Sequence, residues 1–361
     1  MTEDSLELTE RKVLDHARSG LQAHLPLSAE GYKCSTEDLL HVLLGVAARR
    51  STIESVCADL TIPHPETMRS YLNEQLRTEA LPELERALNA ALGAEIPARV
   101  WRQAHDVALD LHDRPYYGKL SQNEGLWVRS KAQRGTTRFY RIATAYVMFD
   151  GLRVTLALHF YLPGDKPVTA LKSLLDNVRE LDIPVHRLFL DKGFGGIDCL
   201  EYLDQHDWPA VIACTIRGRT GGTRALCRGR KSYRSPYTFR NGRRTFGAEL
   251  AVCRVFSSAK RTGRLKRRAG WQIFIQIHLD LSPQQVRKLY RRRFGIESSY
   301  RCAAQVRGWT TSKNVAYRFV LMGLSFFLLN VWLHLRWLFT QMPRRGHRWL
   351  DTKRFRLARF A

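Results

Sequence analysis

Between residues 107 and 215 the hydrophobic side chains change period in an order that few folds can use. Val107, Leu109 and Leu111 alternate with Ala108 and Asp110, and β-rich runs follow at about 139–149 and 153–162. A period of two marks strands, and Asp150-Gly151 between the second and third runs is a hairpin dipeptide. Next come a helical pattern over about 166–182, an apolar run at 186–191, a helix near 197–206 and another run at 209–215. Three hairpin-connected strands followed by helix, strand, helix, strand predict a mixed α/β sheet with its first strand central. A strand at about 271–279 and a long helix from about Pro283 to Val306 complete this part.

Residues 1–99 carry helical spacing and no strand pattern, which predicts an all-α N-terminal domain before a second domain over 100–340. Ser51 stands where it would cap a helix reaching Leu60, and Pro65 opens another reaching Leu76. Two short helices joined by a tight turn fit a DNA-binding helix-turn-helix with His64, Arg69, Ser70 and Asn73 facing a major groove. They fit an ordinary helical bundle equally well. Residues 319–339 approach the length of a membrane span, but they include Asn330, His334 and Arg336. They are read as a buried core helix, and no membrane partner is expected.

The formal net charge of +24 calls for a polyanion, nucleic acid first. Residues 1–100 hold 10 Lys and Arg against 16 Asp and Glu, so the excess lies downstream, where the counts are 48 against 18. Residues 217–268 concentrate it, with seventeen basic side chains and one acid, Glu249. This segment reads as a β-rich basic insertion with a hairpin at Asn241-Gly242. Arg240, Arg243, Arg244, Lys266, Arg267 and Arg268 would follow a phosphate backbone, and Tyr233, Tyr237, Phe239 and Phe246 would stack on unpaired bases. Residues 341–361 form a basic tail. Seven scattered cysteines with no C-x-x-C pair suggest neither a disulfide framework nor a zinc site, and the acidic start is no secretory signal. The expected location is cytoplasmic, with the protein on the nucleoid.

Phosphoryl transfer between DNA strands needs charge neutralised on both the attacking and the leaving oxygen. Paired divalent ions do this, and hard cations require carboxylates. Asp110 closes the first predicted core strand and Asp191 the fourth, before Lys192-Gly193-Phe194. These strands are neighbours in the expected topology, so the two carboxylates would meet at one sheet edge. Asp113 competes with Asp110, which is preferred because it continues the strand alternation. Tyr290, Arg293, Glu297 and Arg301 recur at intervals that share one helical face, placing a carboxylate among phosphate-binding cations. Tyr116-Tyr117-Gly118 would position a DNA end or pack a loop.

The Tyr-x2-Arg-x3-Glu run over Tyr290, Arg293 and Glu297 resembles the motif of DDE transposases of bacterial and archaeal insertion sequences, of the insertion-sequence-four type. The likeness extends to Asp110, to Asp191 in its Asp-Lys-Gly-Phe setting and to the basic segment before the glutamate helix, and covers about residues 100–340. It implies a ribonuclease H-like fold in which Asp110, Asp191 and Glu297 bind two Mg²⁺ or Mn²⁺ ions. Tyr290 and Arg293 would contact DNA near the cleaved end. The implied partners are transposon-end and target double-stranded DNA, with a homodimer forming on DNA. The family motif ends in Lys where this chain has Ala304; Arg301, Arg307 or Lys313 would have to supply that charge. A nuclease or resolvase of the same fold, or a catalytically silent DNA-binding descendant, is the alternative.

Overall fold

The structure is a computed structural model that describes residues 9–60, 63–118, 126–133, 135–149, 152–261, 264–291, 302–339, 341–342 and 349–350. Strand β3 (His105–Pro115) organises it. Val107, Ala108 and Leu109 are all fully buried, the pattern of a strand covered on both faces. On one side β3 pairs antiparallel with β5 (Thr136–Phe149), and on the other it runs parallel to β7 (Val185–Leu190). β5 also pairs with β6 (Leu152–Phe160), Phe149 facing Leu152 across the two-residue connection Asp150-Gly151, and with β4 (Val128–Gln133). β8 (Ala210–Cys214) is parallel to β7. The first strand is therefore central, as its apolar pattern predicts.

Beyond β8 the sheet continues into β11 (Arg264–Ile277), β10 (Arg244–Arg261) and β9 (Tyr233–Asn241), all antiparallel, giving nine strands in one sheet. The strand expected at 271–279 is the distal part of β11, whose basic first half hid its continuity. The β9–β10 turn falls one residue later than expected. Asn241 pairs with Arg244, leaving Gly242 and Arg243 as the loop, with Gly242 at φ 60°. Tyr233, Tyr237, Phe239 and Phe246 pack partly buried against the core.

Helices α1 (Glu10–Gln22), α2 (Thr36–Ala48), α3 (Ile53–Leu60), α4 (Pro65–Gln75) and α5 (Leu81–Ala94) precede the sheet. A two-residue ladder of β1 (Glu30–Gly31) and β2 (Cys34–Ser35) interrupts them. The side chain bonding the start of α3 is Thr52, which accepts from Ser55 N at 3.4 Å, rather than Ser51. α6 (Pro167–Glu180) and α7 (Ile197–Gln205) connect the parallel strands. Of the long helix expected over 283–306, the described parts are α8 (Pro283–Tyr290) and a 3₁₀ turn at Ala304–Val306.

The apolar segment is α9 (Val315–Phe339), buried along most of its length. It meets the criteria for a membrane span by length and composition, but it packs against α2, α5 and β6. Its polar residue Asn330 explains how. β6 lies at the sheet edge, where its outward amide groups need partners. Asn330 Oδ1 accepts from Thr155 N at 3.0 Å, and its Nδ2 donates to Thr155 O at 2.8 Å and to Leu92 O at 3.3 Å. On the same edge Asn89 accepts from Leu158 N at 2.8 Å and donates to Leu158 O at 3.0 Å, while Glu85 accepts from Phe160 N at 2.8 Å. Carboxamides from α5 and α9 thus stand in for a missing neighbour strand. One hydrophobic core runs from the N-terminal helices through the sheet.

Candidate active site

The parallel register of β3 and β7 pairs Leu109 with Leu190, and the next residues along are Asp110 and Asp191. Adjacent strands lie about 4.8 Å apart and in-register side chains share a face. The two aspartates are therefore neighbours where the parallel pairing ends, Asp191 just past the carboxyl end of β7, the side from which open α/β sheets take ligands, and Asp110 midway along β3, which does not close there as expected but continues against β5 to Pro115. Both are half-buried. Gly193 follows because the chain turns tightly onto β3: a Cβ there would come within 2.6 Å of Leu111 Cδ1. The absence of a side chain at Gly193 thus leaves room for Leu111.

Asp113 is disposed differently. Arg141 on β5 donates to its two oxygens at 2.7 and 2.8 Å, a bidentate pair that commits this carboxylate to its cross-strand partner. Of the Tyr116–Tyr117 pair, Tyr116 is buried against Tyr140 while Tyr117 is 67% exposed.

Tyr290, expected to touch DNA, is only 5% exposed and lies between Phe189 and Phe274. Its hydroxyl donates to Leu190 O at 2.9 Å, which pins the end of α8 beside the residue preceding Asp191. Arg293, Glu297 and Arg301 lie outside the described residues, as do the side chains of Lys266, Arg267 and Arg268. Arg240 and Arg243 are exposed, whereas Arg244 pairs with Asp198 and Glu201 of α7. In the helical region Arg69 pairs with Glu54 and Glu66, and Asn73 accepts a bond from Asn314 at 3.4 Å. His64 and Ser70 are exposed.

A cavity of about 410 Å³ opens near the far end of β3. Arg114, Arg50, Arg307 and Arg318 line it over an apolar floor that includes Ile142, Phe160 and Phe319, and none of its described lining residues is acidic. Arg114 shares a strand face with Asp110 and, four residues on, lies about 13 Å away. Trp309, 65% exposed, stands at the cavity, its backbone N–H donating to Ser51 O at 2.9 Å. His112 lies between Asp110 and Arg114 in the chain; burial, reinforced by Arg114 and Arg307, pushes its pKa down to about 3. Its imidazole is therefore neutral, leaving the arginines as the charges here. Sequence reasoning missed Arg50, Arg114, Trp309 and Arg318 because they come from separate elements. The only local signal is the run Arg307-Gly308-Trp309.

Residues 112–330 match the family model of the transposase DDE domain. The chain belongs to the DDE transposases. Among solved structures the transposase resembles piggyBac transposase, determined as a synaptic complex with hairpin DNA. The TM-score is 0.52 at 12% identity, covering 90% of this chain and 72% of that one. The likeness is one of fold, a mixed sheet of the ribonuclease H-like kind. No curated protein matches the transposase in sequence.

Proposed function

We propose that this transposase cuts DNA at transposon ends and joins the released 3′-hydroxyl to target DNA, with Asp110, Asp191 and Glu297 holding two Mg²⁺ or Mn²⁺ ions. The observation that carries the reading is the pairing of Leu109 with Leu190, which makes Asp110 and Asp191 neighbours where the parallel pairing of β3 and β7 ends. The donor set suits hard divalent cations, and both carboxylates are half-buried, while Asp113 pairs with Arg141. Glu297 would complete the site from seven residues beyond Tyr290, whose hydroxyl is anchored on Leu190 O. Divalent ions bound there would polarise the phosphodiester and favour deprotonation of the attacking hydroxyl.

The protein's own side chains would do the positioning. Arg50, Arg114, Arg307 and Arg318 would clamp phosphates of the DNA end, with Trp309 stacking on a base. Arg307 would supply the charge missing at Ala304, and Arg293 and Arg301 would flank the glutamate. Arg240, Arg243, Lys266, Arg267 and Arg268 would follow flanking DNA, Arg244 joining them only on release from Asp198 and Glu201. The N-terminal helices would read terminal repeats through exposed His64 and Ser70. Cutting two ends together would need two active sites, hence a homodimer on DNA.

The test uses an end substrate and a supercoiled target. Asp110→Ala, Asp191→Ala and Glu297→Ala should each lower cleavage roughly a thousandfold, about 4 kcal/mol of transition-state stabilisation, while DNA still binds. Undiminished cutting by Asp191→Ala would remove the assignment, and cutting without joined product would make the protein a nuclease.

A further inference from the structure

Helix α1, the end of α5 and helix α9 converge on three side chains that the catalytic reading does not use. His16 Nε2 lies 3.0 Å from both Oε1 and Oε2 of Glu95, and His334 Nδ1 lies 2.9 Å from Oε2. The three donor groups fall within 4.8 Å of one another. The imidazoles meet edge to face, with centroids 5.8 Å apart. Glu95 is inside, its side chain 5% exposed, while those of His16 and His334 are 36% and 24% exposed.

The contacts are of hydrogen-bond length, and the same three groups also make a metal donor set. His16 Nε2 is equidistant from both oxygens of Glu95 and His334 Nδ1 faces one of them, so two nitrogens and a carboxylate converge on one point. Metal–ligand bonds of about 2.0–2.2 Å in a tetrahedron separate the donors by about 3.3 Å. The nitrogen–oxygen contacts of 2.9 and 3.0 Å lie a few tenths of an ångström below that, and with all donor atoms inside 4.8 Å, rotation of the rings would seat an ion among them. Two imidazoles and one carboxylate form a zinc donor set that leaves a fourth position for water, and the exposed sides of both rings provide the opening. Gly20, one turn after His16 on α1, lets the helix pack closely here: a Cβ there would be 3.1 Å from Phe327 Cζ and 3.4 Å from Glu95 Oε1.

We propose that His16, Glu95 and His334 bind one divalent transition-metal ion of the Zn²⁺ class, which clamps α1 to α5 and α9. The site is separate from the catalytic carboxylates and joins the N-terminal helices to the helix that closes the core.

The experiment uses the full chain carrying Asp110→Ala and Asp191→Ala, so that catalytic carboxylates contribute nothing, after removal of metal. Titration with Co²⁺ should give the visible bands of a low-coordinate nitrogen and oxygen site at one equivalent, and Zn²⁺ should displace them. Zn²⁺ should also raise the unfolding temperature by about 3 °C or more. Adding His16→Gln or Glu95→Gln should weaken binding at least tenfold and abolish that rise. His16→Gln alters a partly exposed side chain and decides the matter if Glu95→Gln does not fold. No Co²⁺ spectrum, or equal affinity in the His16→Gln protein, would reduce the cluster to a hydrogen-bonded ion pair and overturn the proposal.

Discussion

Tyr290 shows how a motif residue can serve a site from beneath it. Its ring fills the space between Phe189 and Phe274 and its hydroxyl bonds Leu190 O, so its contribution is to the position of α8 relative to β7. Tyr290→Phe removes one buried hydrogen bond, about 1 kcal/mol of stability. If that bond sets the position of the glutamate segment, cleavage should slow about tenfold with DNA affinity unchanged, which single-turnover assays and band shifts would separate. That Asp110 and Asp191 would be neighbours was legible because each follows an apolar run, although β3 goes on past Asp110. The commitment of Asp113 was not, since Arg141 lies on another strand and only the register joins them. His159 is a second residue that sequence left silent. Burial opposes its charge, but the bond to Glu85 at 2.9 Å and the nearby Asp165 prevail and raise its pKa. Protonated His159 therefore adds stability that is complete below about pH 6.5 and is lost as pH rises through the higher folded-state value. Urea midpoints of wild type and His159→Gln should converge as pH rises, and a constant gap would contradict this reading.

At the scale of elements, period and turn dipeptides located most of the sheet, because local chemistry sets both. What stayed hidden was pairing over distance. β11 read as a short strand because the run of Lys and Arg masks its first half, although β10 pairs with it from end to end. The paired helices α3 and α4 lie where capping signals put them, but Arg69 is held by acids of its own region, which composition alone does not reveal. Asn330 was noticed only as an oddity in an apolar helix; its purpose depends on an edge strand 175 residues away. Asn330→Leu keeps the size but strips Thr155 of both partners. The loss should be about 3 kcal/mol, from two buried backbone groups at about 1–3 kcal/mol each, measured by denaturant unfolding. A change under 1 kcal/mol would mean that water replaces the carboxamide.

For the whole molecule, charge and core have separate territories. The excess of basic side chains predicted a polyanionic partner, but the arginine cavity is assembled from the turn after α2, β3, the segment before α9 and α9 itself, which no linear run announces. If those arginines bind phosphates, DNA affinity should fall steeply with salt, and the double variant Arg114→Ala, Arg318→Ala should make the log–log slope about 2 units shallower. An unchanged slope would place DNA elsewhere. The position of α9 in the chain also has a consequence for synthesis. This helix follows all nine strands of the sheet, so a growing polypeptide carries a β6 edge sealed only by α5 until the helix has emerged from the ribosome. A message broken before codon 315 would yield a sticky fragment for proteases to clear, and DNA would meet only chains read through past that point.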